Sequence, residues 1–192
     1  YAYVAYYSLD TNDIREIMVR DYNAEALAVT HDGRFLIISF NENGYSKLYI
    51  KDMYTGRLRR IKLPPGVIYS LQVSPDDTYV AINISTSTCP ASIYLLNLRT
   101  LQLSMVVPPN NCGLRSDELT EPQLVYYKSF DGYDVPGLLY IPDICSNSRC
   151  PAIIIYHGGP EGQSRPWFST LTQLLVSEGY IVSVSYTHLR AH

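Results

Sequence analysis

Residues 157–160 read His-Gly-Gly-Pro, and they follow the apolar run Ala152-Ile153-Ile154-Ile155-Tyr156. A short apolar run ended by chain breakers fits a strand covered on both faces. Pro151 stands at its first residue, where a missing N–H is tolerated. Gly158, Gly159 and Pro160 then stop the strand and turn the backbone with its N–H groups exposed. Such a turn can do chemistry: a backbone N–H aimed at a carbonyl stabilises the negative oxygen that develops during acyl transfer. The same residues also suit a plain tight turn between two elements, so the surroundings must decide.

Acyl transfer needs a nucleophile. No G-x-S-x-G occurs, and Ser164, Ser169, Ser177, Ser183 and Ser185 all lack the flanking glycines of a nucleophile elbow. No Ser, Asp and His triad can be assigned. His31 is replaced by Pro75 in the repeat described below, which makes it a solvated turn residue rather than a ligand. Cys145 and Cys150 flank the polar loop Ser146-Asn147-Ser148-Arg149, while Cys89 and Cys112 stand apart. One Cys-x4-Cys without a second pair is weak evidence for a metal. Two free thiols are the expected state, with a loop disulfide as the alternative. No metal or cofactor site is expected. Asn83-Ile84-Ser85 matches a glycosylation sequon but falls inside an expected strand.

The elements that would position such a turn come next. Of 192 residues, 46% are apolar and 17% charged, and eighteen are tyrosines, which with many Val, Ile and Leu favours strands. A net charge of −3 gives no basic footprint for nucleic acid, and no apolar run approaches membrane-spanning length. Tyr1 to Leu9 lack the basic region and cleavage site of a signal peptide. Neither nucleic acid nor a membrane is an expected partner, and a cytoplasmic location is the expectation.

A repeat runs through the first half. Val29-Thr30-His31-Asp32-Gly33-Arg34-Phe35 recurs 44 residues on as Val73-Ser74-Pro75-Asp76-Asp77-Thr78-Tyr79. Leu48-Tyr49-Ile50-Lys51-Asp52 recurs 45 residues on as Ile93-Tyr94-Leu95-Leu96-Asn97, and Thr55 and Thr100 keep step. Thr11, Ile14 and Ile17 give a third, partial copy. Each unit holds four short strand-like runs separated by turn residues such as Asp32-Gly33 and Thr55-Gly56. A period of about 40–45 residues with four strands marks a β-propeller blade, where a plain meander or sandwich would not keep a constant offset. Residues 21–63 and 65–107 are thus two whole blades, and 1–19 the last two strands of another. Pro108-Pro109-Asn110-Asn111 ends the repeat, and residues 108–122, with Asp117, Glu118 and Glu121, read as an acidic linker.

Beyond the linker, Leu124–Phe130 and Tyr133–Ile141 read as strands joined by a two-residue Asp131-Gly132 hairpin turn. After the strand at 152–156, Ser164 is a candidate N-cap and Pro166 suits a first helical turn. Phe168, Leu171, Leu174 and Leu175 share one helical face, Gly179 suits the C′ position, and Tyr180-Ile181-Val182-Ser183 opens another strand. Strand, helix, strand predicts a parallel pair. An antiparallel hairpin followed by such a unit is how an α/β-hydrolase sheet begins. The expected fold is therefore all-β propeller blades (1–107), a linker (108–122) and the N-terminal part of an α/β-hydrolase domain (123–183).

A propeller followed by Ser129-Phe130-Asp131-Gly132 and then by His157-Gly158-Gly159-Pro160 resembles the prolyl oligopeptidase family of serine peptidases, and its acylaminoacyl-peptidase branch above all. The resemblance implies a parent enzyme that hydrolyses short peptides, with the propeller screening substrates by size. It implies that the Gly159 N–H donates to the oxyanion, with His157 and Gly158 in the oxyanion loop. Related branches carry a Tyr hydroxyl at the place of His157, which this chain lacks. Gly158 and Gly159 are expected to be glycine because close approach and positive φ require it. A non-catalytic binding protein, or an esterase on the same scaffold, is the alternative. The last nine residues, Val184 to His192, resemble the translation of a sequencing-library adapter and are left out of the expected fold.

Overall fold

A computed structural model describes residues 2–110, 113–158 and 162–185. Its strands form four sheets, none of which closes on itself. The first is an antiparallel pair, β1 (Val4–Tyr7) and β2 (Ile14–Met18). The second holds β3 (Asn23–Val29), β4 (Phe35–Glu42), β5 (Tyr45–Asp52) and β6 (Leu58–Ile61) in chain order, each antiparallel to the next. The third repeats that order with β7 (Gly66–Val73), β8 (Tyr79–Thr86), β9 (Cys89–Asn97) and β10 (Leu103–Val107).

The repeat is written in the turns between strands. Thr30 Oγ1 donates to Asp32 Oδ1, and 44 residues later Ser74 Oγ donates to Asp76 Oδ1, both at 2.6 Å. Asp52 Oδ1 accepts the N–H groups of Tyr54 and Thr55, as Asn97 Oδ1 accepts those of Arg99 and Thr100. Asn12, Gly56 and Leu101 stand at equivalent places and all adopt positive φ, at 57°, 71° and 59°. Each closes its turn with an N–H to the carbonyl four residues back, at 2.9, 2.8 and 2.8 Å. Local side chain to backbone bonds of this kind specify turns rather than sheet ladders.

The Asp76 carboxylate gathers bonds from the Ser74 hydroxyl and from Thr78, which hold its pKa down from the ordinary 3.8 to about 2. A depressed carboxylate adds stability that is fully present above 3.8 and lost as pH falls through about 2. Urea midpoints measured across that acid window should therefore fall less steeply for Asp76→Asn than for the native chain. Equal slopes would show that the turn carries no such linkage. His31 stands in an exposed turn, as expected, yet it is not without a partner. Its N–H and its Nδ1 each lie 2.8 Å from Asp77 Oδ1.

The described chain divides into two compact units. The first takes the described residues of 1–64, 68–83 and 93–106; the second takes those of 65–67, 84–92 and 107–192. In the first, Val4, Met18, Leu36, Ile38, Phe40 and Tyr49 form a buried cluster. Arg20 lies against it, its guanidinium 4.2 Å from the Tyr49 ring centre, and Nη1 donates to Glu42 and to the Tyr49 hydroxyl.

The second unit contains the fourth sheet: β11 (Gln123–Lys128), β12 (Asp134–Tyr140), β13 (Ala152–Ile155) and β14 (Ile181–Ser185), in the order β11-β12-β14-β13. The first two neighbour pairs are antiparallel, whereas β13 and β14 are parallel and joined through helix α1 (Thr170–Ser177). Leu138, Tyr140, Val176 and Val182 form its buried core.

Several expectations are corrected here. The hairpin turn has three residues, not two: Ser129 N–H bonds Tyr133 O across Phe130-Asp131-Gly132, with Gly132 at φ 87°. A left-handed third residue is the usual way to close such a loop. Helix α1 begins at Thr170, because Ser169 rather than Ser164 caps it, with Oγ accepting from Thr172 N–H at 3.2 Å. Ser164 is buried instead. The inward face of α1 is Thr172, Gln173 and Val176, while Leu171 and Leu174 are exposed. Gln173 can face inward because its amide is fully used: Oε1 accepts from Thr120 N–H, and Nε2 donates to Thr120 O and Ser87 O. Cys145 and Cys150 form a disulfide where two free thiols were expected. Strand β14 runs on through Val184 and Ser185, two of the nine residues set aside above, which pair with Leu138 and Gly137. Residues 186–192 lie outside the described residues.

Candidate active site

Strand β13 lies at one edge of its sheet, with β14 on its only described side. Ile153 and Ile155 are half-buried, and Ile155 packs on the core of Leu138, Tyr140, Val176 and Val182. Ile154 is 59% exposed and Tyr156 69% exposed. The expectation of a strand covered on both faces is therefore corrected. Among the described residues only one face has a helix against it, so alternate side chains of the apolar run meet solvent.

The chain leaves the carboxyl end of β13 through Tyr156, His157 and Gly158. In open α/β sheets, ligands bind beyond the carboxyl ends of the parallel strands. His157 is half-buried, with Nδ1 3.3 Å from Gly158 O. Gly158 is exposed, and an added Cβ would meet nothing within 4 Å among the described residues. It takes no positive φ, which corrects that part of the expectation. Gly159, the expected donor, lies with Pro160 and Glu161 outside the described residues.

The residue that needs to be glycine is one the sequence did not single out. A Cβ on Gly162 would stand 2.6 Å from His157 Nδ1 and 2.8 Å from Gly158 O. The segment returns across the His157 ring, and only a residue without a side chain fits there. The sequence signal is a third glycine in the five residues from Gly158 to Gly162.

Three of the serines that follow are occupied in structural roles. Ser169 caps α1, Ser177 Oγ donates to Leu174 O at 2.8 Å, and Ser185 Oγ lies 3.1 Å from the Tyr127 hydroxyl. Among the described residues no group of three or more His, Cys, Asp or Glu could hold a metal ion, and no helix is long and apolar enough to cross a membrane.

No protein-family model and no curated protein matches the sequence. Solved structures do match. A prolyl endopeptidase structure superposes with a TM-score of 0.81 at 17% identity, covering 96% of this chain and 28% of that one. The chain shares the fold of these peptidases. Pyrococcus horikoshii acylaminoacyl peptidase matches at 22% identity and TM-score 0.72, covering 90% of this chain and 26% of its own. A puromycin-hydrolyzing peptidase from Mycobacterium tuberculosis matches at 17% and 0.78, covering 92% and 29%. The chain thus spans little more than a quarter of the length of these peptidases, and its β-rich fold matches their propeller domains.

Proposed function

We infer that this chain is part of a serine peptidase of the prolyl oligopeptidase family, of the acylaminoacyl-peptidase or oligopeptidase type, that hydrolyses short peptides. Its residues 1–107 are then propeller blades, 108–122 a linker, and 123–183 the start of an α/β-hydrolase sheet. The observation that carries this is the order β11-β12-β14-β13, with β13 and β14 parallel and His157-Gly158 leaving the carboxyl end of β13. The exit of His157 and Gly158 at the carboxyl end of the parallel pair supports this reading, because ligands of open α/β sheets bind on that side. Gly159 N–H is the proposed oxyanion donor, worth about 2.7–4 kcal/mol of barrier in a comparable site. His157 and Gly158 shape the loop, and Gly162 makes room for the His157 ring. The nucleophile, its base and the orienting carboxylate would come from residues beyond this sequence.

The proposal has a direct test. One oxyanion donor supplies a small part of the roughly 8–23 kcal/mol that enzymes remove from a barrier. The 192-residue chain alone is therefore expected to hydrolyse neither peptides nor esters, and to resist a fluorophosphonate serine probe. The probe should instead label a longer protein that carries this stretch. Labelling of the short chain would overturn the assignment of the nucleophile elsewhere. The expected cytoplasmic location is retained as a proposal, with the Cys145–Cys150 bridge weighing towards an oxidising compartment.

A further inference from the structure

Charge is unevenly spread along the chain. Residues 34–63 hold seven basic side chains against two acidic ones, in a protein whose net charge is −3. Four of the seven, Arg57, Arg59, Arg60 and Lys62, follow one another on and just beyond β6, and all are exposed. Alternation along the strand sends Arg57 and Arg59 to one face and Arg60 and Lys62 to the other. Burial and the nearby Arg60 charge lower the pKa of Lys47, so like charges already repel on the second face.

On the first face lies a cleft of about 660 Å³ within the first unit, a size within the range of ligand-binding pockets. Arg57 lines it from just before β6, Arg59 from β6, and Arg99 from the turn after β9. Phe35, Ile50 and Leu101 are among its apolar walls. The Arg34 cation in the cleft is already committed, to Asp52 at 3.3 Å and to the Phe35 ring at 4.8 Å. Arg57, Arg59 and Arg99 have no ion-pair partner among the described residues. Strand β6 ends its sheet: β5 pairs with it on one side, from Lys51↔Leu58 to Leu48↔Ile61, and no described strand pairs with the other. Cations on an edge strand also deter pairing between like molecules. That accounts for Arg57 and Arg59 but not for a third arginine brought from a different sheet to the rim of an apolar cleft.

We propose that this cleft is a docking site for an extended acidic peptide segment of a partner protein, whose carboxylates meet Arg57, Arg59 and Arg99 while an apolar side chain enters the cleft and its backbone adds to the free edge of β6. An added strand gains main-chain hydrogen bonds from the edge and specificity from alternate side chains. Arginine forks suit carboxylates at the rim. A nucleic acid fits less well, because single strands are held by stacking on exposed aromatic faces and the Phe35 ring is covered by Arg34. The site is distinct from the His157 loop and stands whether or not the peptidase assignment does.

The test is fluorescence anisotropy with the 192-residue chain and a labelled peptide alternating Glu and Leu. Saturable binding that weakens with added salt is expected, falling about tenfold or more in Arg59→Glu and in Arg99→Glu. The same peptide N-methylated at alternate residues should bind less, because it cannot complete the edge ladder. Arg59→Gln and circular dichroism melts separate lost binding from lost folding. Absence of saturable binding, binding unchanged in Arg59→Gln and Arg99→Glu, or tighter binding of a single-stranded oligonucleotide of equal charge would each overturn the proposal.

Discussion

In a longer, active peptidase carrying this stretch, Gly159→Val is expected to lower kcat by about 10²–10³-fold with KM little changed. A donor used only when negative charge develops on the carbonyl oxygen adds nothing to ground-state binding, so its loss falls on kcat. Valine would also displace the backbone and crowd the carbonyl. A purely structural turn predicts the reverse pattern, a lowered melting temperature with normal kcat for molecules that remain folded. Gly162 supplies the internal comparison. Its Cβ would strike His157 Nδ1 and Gly158 O, so Gly162→Ala should lower stability first. A Gly159→Val enzyme with native kcat and a lowered melting temperature would return the loop to a structural role.

Gly66→Ala is expected to be the most damaging small substitution in the described chain. A Cβ at this position would lie 2.1 Å from Ser85 O and 2.9 Å from Ser85 C, both backbone atoms of the neighbouring strand β8. Backbone cannot swing aside as a side-chain tip can, so β7 and β8 must part or the turn before β7 must rebuild. Overpacking of this kind should cost about 3 kcal/mol or more. Gly33→Ala is the control. It has open space around its Cβ and a φ of +71°, so only the left-handed conformation is penalised, by about 1–2 kcal/mol. Urea denaturation of both variants gives the comparison, and equal losses would show that the β7–β8 approach is not as close as described.

Sequence and structure agree most closely where turn chemistry sets the backbone. Asp32, Asp52, Asp76 and Asn97 each accept the N–H two residues onward, and that is local enough to be read from residue types at a constant offset. The strand–helix–strand order after β12 was legible for the same reason, since apolar period and Gly179 mark it without reference to the rest of the chain. What escaped depends on distant partners. Gln173 faces inward only because Thr120 and Ser87 satisfy its amide, and no helical periodicity carries that information. Ser169 caps α1 while Ser164 is buried, and residue type alone does not tell the two apart. Gly66 follows Pro64-Pro65 and reads as a turn residue, yet the demand for glycine comes from Ser85, nineteen positions away in the sequence. At the site, His157 and Gly158 were legible as a strand-ending loop, while Gly162 was not, because its constraint is a ring folded back over it.

The bond from Gln173 Nε2 to Ser87 O ties helix α1 to residues 84–92, which belong with the second unit although they are the hairpin end of β8 and β9. Genes built by exchanging cassettes usually cut between folded units at a linker, and the proposed linker at 108–122 would be the obvious seam. A recombinant joined at that seam would take the backbone around Ser87 from one ancestor and Gln173 from the other, and any shift of that hairpin end would carry the carbonyl away from the buried amide. Exchange among relatives is therefore freer if the hairpin end travels with the downstream half, so that inheritance in this chain follows contacts that the linear order of its parts conceals.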